Sequence, residues 1–392
     1  MMGDYLLIVP LVLALAIGWL LGRRDRRKQQ LENYTERLRH EYFSGLNHLI
    51  DNNTDEAIES FISALKYNSE TVPIRLALGT LFRRRGEVQR SIQLHQEVLA
   101  LPSLTAKESV QVQLALAHDY MAAGLLDRAE NLLLELLGEG SREDRDTTVR
   151  LLIDLYQQEK EWHKALKVAE LLSDDDGALG TRLAHYHCEL ARVALQRREW
   201  QEARKHIKGA LQEDPDCVRA SLLNAELEMT EERWKAAIKS LKSVPLQDPA
   251  FVSETVPLLA ECYRRLNATG ELRRYLEQTF EYAPSTTAML LVADEIAREQ
   301  GDYQAGAYIT EQLKLRPSVK GFNRLIDLHL KHAGESARES LGVLRGLTGQ
   351  LEQSKPVYHC RNCGFSGQTL HWQCPSCQGW GEVRPIQGLE GE

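Results

Sequence analysis

Four cysteines near the end of the chain carry the strongest chemical signal. Cys360 and Cys363 form one Cys-x-x-Cys pair, Cys374 and Cys377 a second, with ten residues between them. Each pair sets two sulfurs on one tight turn. Two such turns facing each other make a tetrahedral site for a single ion, zinc or iron. Gly364 relieves the first turn where a side chain would clash, and Pro375 stiffens the second. Two disulfides are the alternative, but they require an oxidising compartment. Cys188, Cys217 and Cys262 lie in helical segments without a pairing rhythm and read as small core residues. His185, His187 and Cys188 share one helix. With no third or fourth ligand in view they read as packing and surface, not as a second metal site. No phosphate loop, dinucleotide fingerprint, His-Glu-x-x-His or nucleophile elbow is present, and no carboxylate pair stands out as acid and base. No catalytic residue is assigned.

The elements that position the cysteines begin where Lys355-Pro356-Val357 breaks a long helical pattern and opens a short strand. Tyr358, Phe365, Trp372 and Trp380 supply this small module with apolar contents. About thirty residues cannot fold by burial alone, so the metal must contribute most of the stability, on the order of 10 kcal/mol.

Upstream, the chain repeats itself. Ala57, Ser91, Ala129, Ala165, Ala203 and Ala237 recur at intervals of 34 to 38 residues, and Gly45, Gly79, Ala117, Ala191, Ala225 and Ala260 follow the same pitch. An aromatic residue stands three positions before the small one at Trp162, Trp200 and Trp234, and again at Tyr303 before Gly306. Pro102, Pro215 and Pro249 close units. This pattern resembles the tetratricopeptide repeat, a helix–turn–helix whose small residues let two helices approach closely. About eight units cover 39–318. The unit near 251–284 has a blurred second helix around Leu272–Tyr275, and Phe322–Leu351 reads as a further helix pair. Such units stack and leave a groove for peptides or partner helices. Arg83-Arg84-Arg85 reads as a solvated turn in preference to an acidic-partner site, and Asp174-Asp175-Asp176 as a solvated loop.

The segment 5–21 has no charged residue and would rise about 26 Å as a helix, near the thinner limit of a bilayer core. Arg23, Arg24, Arg26, Arg27 and Lys28 follow at once and predict a cytoplasmic stop, with the N-terminus outside. A cleaved signal peptide is disfavoured, because the leading residues carry Asp4 and no basic charge. The organisation expected is a transmembrane anchor at 1–22, a basic stop and helical stalk at 23–38, repeats at 39–318, a terminal helix pair at 319–354 and a metal-binding module at 355–392. The fold class is all-α, a tetratricopeptide-repeat solenoid with a transmembrane helix and a small zinc-ribbon module. At 43% apolar, 27% charged and a net charge of −8, the chain gives no footprint for nucleic acid.

The run Tyr-x-Cys-x-x-Cys-Gly followed by Trp-x-Cys-Pro-x-Cys is similar to rubredoxin knuckles. The interval between knuckles is shorter, and Gln378 stands where glycine usually follows the last ligand. Both departures favour a structural metal over redox work. LFRRRGEVQRSIQLHQ (81–96), DYMAAGLLDRAE (119–130), KPVYHCRNCGFSGQTLHWQCPSC (355–377) and RPIQGLEG (384–391), in this order of modules, resemble the lipopolysaccharide assembly protein B family of Gram-negative bacteria. That resemblance implies an adaptor on the cytoplasmic face of the inner membrane. Its implied partners are a membrane-anchored AAA+ zinc protease, the lipid A pathway deacetylase that the protease degrades, and a sulfatase-like inner-membrane antagonist. Only Cys360, Cys363, Cys374 and Cys377 carry over, as metal ligands. The alternatives are a rubredoxin-like electron-transfer protein, which an absorption spectrum discriminates, and a general membrane-tethered assembly scaffold. A homo-oligomer stays open.

Overall fold

The computed structural model describes Trp19 and residues 36–51, 53–67, 71–138, 141–172, 177–389 and 391–392. Apart from Trp19, the expected anchor lies outside these residues, as do most of the stalk and the Asp174–Asp176 loop. Among the described residues no helix is long and apolar enough to cross a membrane. The chain divides into two compact units, 1–173 and 174–392.

The first unit holds four antiparallel helix pairs: α1 (36–50) with α2 (Thr54–Tyr67), α3 (Val72–Arg84) with α4 (Val88–Leu99), α5 (Ala106–Ala122) with α6 (Leu126–Leu136), and α7 (Arg142–Glu159) with α8 (Trp162–Ala169). The second holds α9 (Gly177–Gln196) with α10 (Trp200–Glu213), α11 (Val218–Thr230) with α12 (Trp234–Gln247), α13 (Val252–Arg265) with α14 (Thr269–Phe280), α15 (Thr286–Gln300) with α16 (Asp302–Leu315), and α17 (Val319–His332) with α18 (Glu335–Ser354). A single 3-10 turn, Pro249–Phe251, precedes α13. Three short strands follow the last helix: β1 (Tyr358–Cys360), β2 (Ser366–Gly367) and β3 (Val383–Pro385).

Seven of the pairs turn on one residue in the left-handed region. Gly86, Gly124, Lys160, Arg198, Glu232, Asn267 and Gly301 all have φ between 53° and 95°. After six of them the next N–H reaches back to the carbonyl five residues earlier, as in Glu87 to Phe82 (2.8 Å) and Arg233 to Glu228 (2.7 Å). This closure satisfies the last carbonyls of the first helix and sets the antiparallel return. Thr105 with Glu108 and Ser141 with Asp144 form capping boxes that start α5 and α7.

The small residues of the second helices, Ala57, Ser91, Ala129, Ala165, Ala203 and Ala237, are all fully buried. Contact there is close. A side chain at Gly45 would start 2.8 Å from the Phe61 ring, and one at Gly79 would start 2.3 Å from His95 Nε2. One expected position is off by one: Ala305, not Gly306, is the fully buried small residue of α16, with Tyr303 85% exposed. Ala260 is partly buried and packs against the core, beside fully buried Leu259. The unit around 251–284 is a regular helix pair in which Leu272, 2% exposed, stands in the small-residue slot.

Arg84 and Arg85 are exposed at the end of α3 and the turn after it, as expected, but Arg83 turns inward. Its Nη1 donates to Asp119 Oδ1 at 2.6 Å, Ser91 Oγ donates to the same oxygen at 2.8 Å, and His95 Nδ1 lies 2.5 Å from Oδ2. Asp119 and His95 are both completely buried, so one carboxylate joins α3, α4 and α5. A buried charge of this kind is stable only while its donors remain. Asp119→Ala leaves the buried His95 Nδ1 without its partner and the Arg83 guanidinium without its counter-charge, with only the carbonyls of Ala115 and Gly79 left for Arg83 and Ser91. A loss of about 3–5 kcal/mol is expected, read from urea unfolding.

Candidate metal centre and its seat

The C-terminal module is a three-stranded antiparallel sheet in the order β2-β1-β3, with Tyr358 opposite both Gly367 and Pro385. Two equivalent turns carry the cysteines. In the first, Gly364 N–H bonds to Cys360 O (3.0 Å) and Cys360 N–H to Phe365 O (2.7 Å). In the second, Gln378 N–H bonds to Cys374 O (2.9 Å) and Cys374 N–H to Gly379 O (2.8 Å). Both turns need a left-handed residue after the last sulfur. Gly364 supplies it at φ 76°, and Gln378 adopts it at φ 60°.

The four sulfurs lie within 4.8 Å of one another. Cys360 and Cys377 are 3.7 Å apart and Cys363 and Cys374 3.6 Å, so the near pairs run between the turns. A tetrahedral ion with metal–sulfur bonds near 2.3 Å has edges of about 3.8 Å, so these spacings suit one ion. Disulfides would place partners at about 2.05 Å. The Phe365 N–H aimed at Cys363 pulls its thiol down to about 6. Such donors favour the thiolate a metal requires. Cys360, Cys363, Cys374 and Cys377 would hold the ion, which supplies structural closure.

Trp372 and Trp380 depart from expectation. The module's own core is Cys360, Cys374 and Val383, with Tyr358, Phe365 and Leu370 against them. The two indoles face the repeats. Trp372 stacks on Phe251 at 5.5 Å and 14°, and Trp380 stacks on His185 at 5.1 Å and 24°. Tyr186 meets Trp380 edge-on at 5.9 Å. Arg219, 2% exposed, sets its guanidinium 5.8 Å from the Trp372 ring and 6.0 Å from Trp380, while its Nη2 donates to Glu189 at 2.7 Å. Burial and the Arg219 charge hold His185 down at about 3, so its ring is neutral against the indole.

Polar contacts complete the seat. Tyr358 Oη donates to Glu254 Oε1 at 2.8 Å, and Arg384 pairs with Asp248. Burial and Glu254 push the Tyr358 phenol well up, and burial raises Glu254 in turn. His185 is thus a packing residue, but its partner is the metal module. His187 lies 3.1 Å from His206, ring nitrogen to ring nitrogen. Cys188 and Cys217, without any rhythm in sequence, meet at 3.9 Å in the core. Buried Cys262 packs in the neighbouring core cluster.

Chelation of the metal is expected to release both indoles, with a red shift of tryptophan emission. Cys374→Ser should give the same spectrum without chelator. Gln378→Gly removes a left-handed strain of about 1 kcal/mol and should slow metal loss to a competing chelator. An unchanged rate would contradict the strain.

Comparison with known proteins follows this architecture. Tetratricopeptide repeat models match residues 45–103 and 194–262, and a rubredoxin metal binding domain matches 358–385. Lipopolysaccharide assembly protein B of Escherichia coli (strain K12) is 38% identical over 388 residues, 98% of this chain and 99% of that protein. The protein of the same name from Haemophilus influenzae is 33% identical over 98% of this chain and 99% of its own length. Among solved structures, the C-terminal part of a tetratricopeptide-repeat protein from Cytophaga hutchinsonii has a TM-score of 0.45 at 14% identity, covering 64% of this chain and 98% of that one. With its repeats, its four-sulfur ribbon and relatives matched along nearly their whole length, the chain belongs to the lipopolysaccharide assembly protein B family.

Proposed function

We propose that this protein is a non-enzymatic adaptor, tethered to the inner membrane by its N-terminal segment, that limits lipopolysaccharide output. It brings the lipid A pathway deacetylase to a membrane-anchored AAA+ zinc protease, and a sulfatase-like membrane protein opposes it. The observation that carries this reading is the likeness along 98% of the chain to relatives named for lipopolysaccharide assembly. The apolar 5–21 segment followed by basic residues supports tethering with the bulk on the cytoplasmic side. The seat supports a holding role. Because the indoles face the repeats, ribbon and repeats offer a partner one joint surface. An open groove of about 670 Å³ runs along that surface, with Leu222, Met229, Trp234, Leu258, Leu370 and Trp372 in its lining. Tethering adaptor, protease and deacetylase on one membrane makes weak contacts sufficient.

Removing residues 1–22 should leave a folded protein that no longer lowers deacetylase abundance in cells, measured by immunoblot. Unchanged deacetylase control by the untethered form would remove the anchoring step. Cys374→Ser should reduce solubility and abolish control together, whereas full control with a metal-free ribbon would show the ion to be dispensable.

A further inference from the structure

Beyond β3 the chain folds into a small closed loop. Glu392 N–H bonds to Ile386 O at 2.6 Å and Gly388 N–H to Glu392 O at 2.8 Å. Only glycine fits at 391, where a side chain would start 1.9 Å from Ile386 O. The loop delivers the Glu392 carboxylate into a socket between α15 and α17. Oε2 accepts from Ser285 Oγ and from Thr287 N–H, both at 3.0 Å. Oε1 accepts from Thr287 Oγ1 at 2.9 Å and from Lys320 Nζ. Ser285 is 3% exposed and Glu392 9%. Lys320 and the Thr287 donors hold the carboxyl below its ordinary range despite its burial.

The socket is better built than its occupant. Beside it lies a cavity of about 400 Å³ lined by Phe280, Pro284, Met289, Pro317 and Leu389. Leu389, the apolar side chain placed to fill it, stays 53% exposed. The tail therefore engages through one carboxylate and a few backbone bonds, such as Val319 N–H to Leu389 O at 2.9 Å. Arg316, 5.3 Å from the Phe280 ring, adds a positive charge to the lining of this cavity.

We infer that this socket is a recognition site for an acidic peptide segment, with the chain's own tail as its resident and displaceable occupant. The preferred ligand is extended. It carries a carboxylate side chain for Ser285, Thr287 and Lys320, and a large apolar side chain three positions earlier to fill what Leu389 leaves open. Displacing the tail frees the chain that follows β3, so occupation by a partner loosens one end of the ribbon. This site does not depend on the proteolytic role proposed above.

The probe is a fluorescein-labelled peptide of sequence 386–392, amidated so that side-chain carboxylates alone act, tested against the metal-loaded full chain. The tethered tail competes at an effective concentration in the millimolar range, so Glu392→Gln protein should bind the probe at least about tenfold more tightly than wild type. Glutamine at the probe's position 392 should cost about tenfold, and phenylalanine at its position 389 should tighten binding. Lys320→Met in the Glu392→Gln background should abolish it. Equal binding to both proteins, no binding to folded Glu392→Gln, or indifference to Lys320 would overturn the inference. Should Glu392→Gln not fold, hydrogen exchange on wild type decides. Excess peptide should speed exchange in 386–389 while Thr287 stays protected, and unchanged exchange in 386–389 would overturn it.

Discussion

Four sulfur atoms brought to within 4.8 Å of one another fix the turn from which two indole rings reach the second unit. Trp372 and Trp380 flank the second cysteine turn. Gln373 and Trp380 form a β-bridge, and Gly381 N–H bonds to Trp372 O at 2.8 Å. The turn that presents Cys374 and Cys377 is therefore the turn that aims the rings. From there, ring contacts run to His185 on α9, Arg219 at the start of α11 and Phe251 before α13, while Glu392 of the tail reaches Ser285 and Lys320 at the starts of α15 and α17. The ribbon and tail thus cross the first helices of five successive pairs. Without the ion, a module of this size has too little core to hold its rings in place.

The two units solve the same problem of helix spacing with different chemistry. In the first, the buried carboxylate of Asp119 binds α3, α4 and α5 through charge and hydrogen bonds. In the second, aromatic stacking and the Arg219 cation do the comparable work from outside the helix pairs. Repeat proteins depend on nearest-neighbour interfaces, and either device adds a constraint beyond the apolar contact between adjacent helices.

The repeats were legible because alanine, serine and glycine mark the close approach of two helices, and the metal turns because cysteine spacing has few other meanings. The reading slipped by one residue at Ala305, because Gly301 is itself the cap of α16 and the slot lies four residues after the cap. Leu272 fills the same slot in α14, since the distance between helices adjusts to the side chains between them. The outward direction of Trp372 and Trp380 was not legible, because an irregular module of this length has no period separating inside from outside. Arg83, read as a turn residue, has its partner Asp119 one helix pair further on, a distance local patterning does not span. Yet both belong to the two early stretches that carried the family resemblance.

The long separation of the seat from its occupant bears on how the chain is made. Glu254 and Tyr358 are 104 residues apart, an interval that takes about 5–20 s to translate. Throughout that time the nascent second unit presents the sites of Phe251, His185 and the Arg219 guanidinium with nothing upon them. Helix pairs on the ribosome can form in order, since their caps and cores are local, but the seat on them is filled only after the last segment emerges. A ribbon without its ion would have too little core of its own to cover that aromatic seat once synthesis is complete.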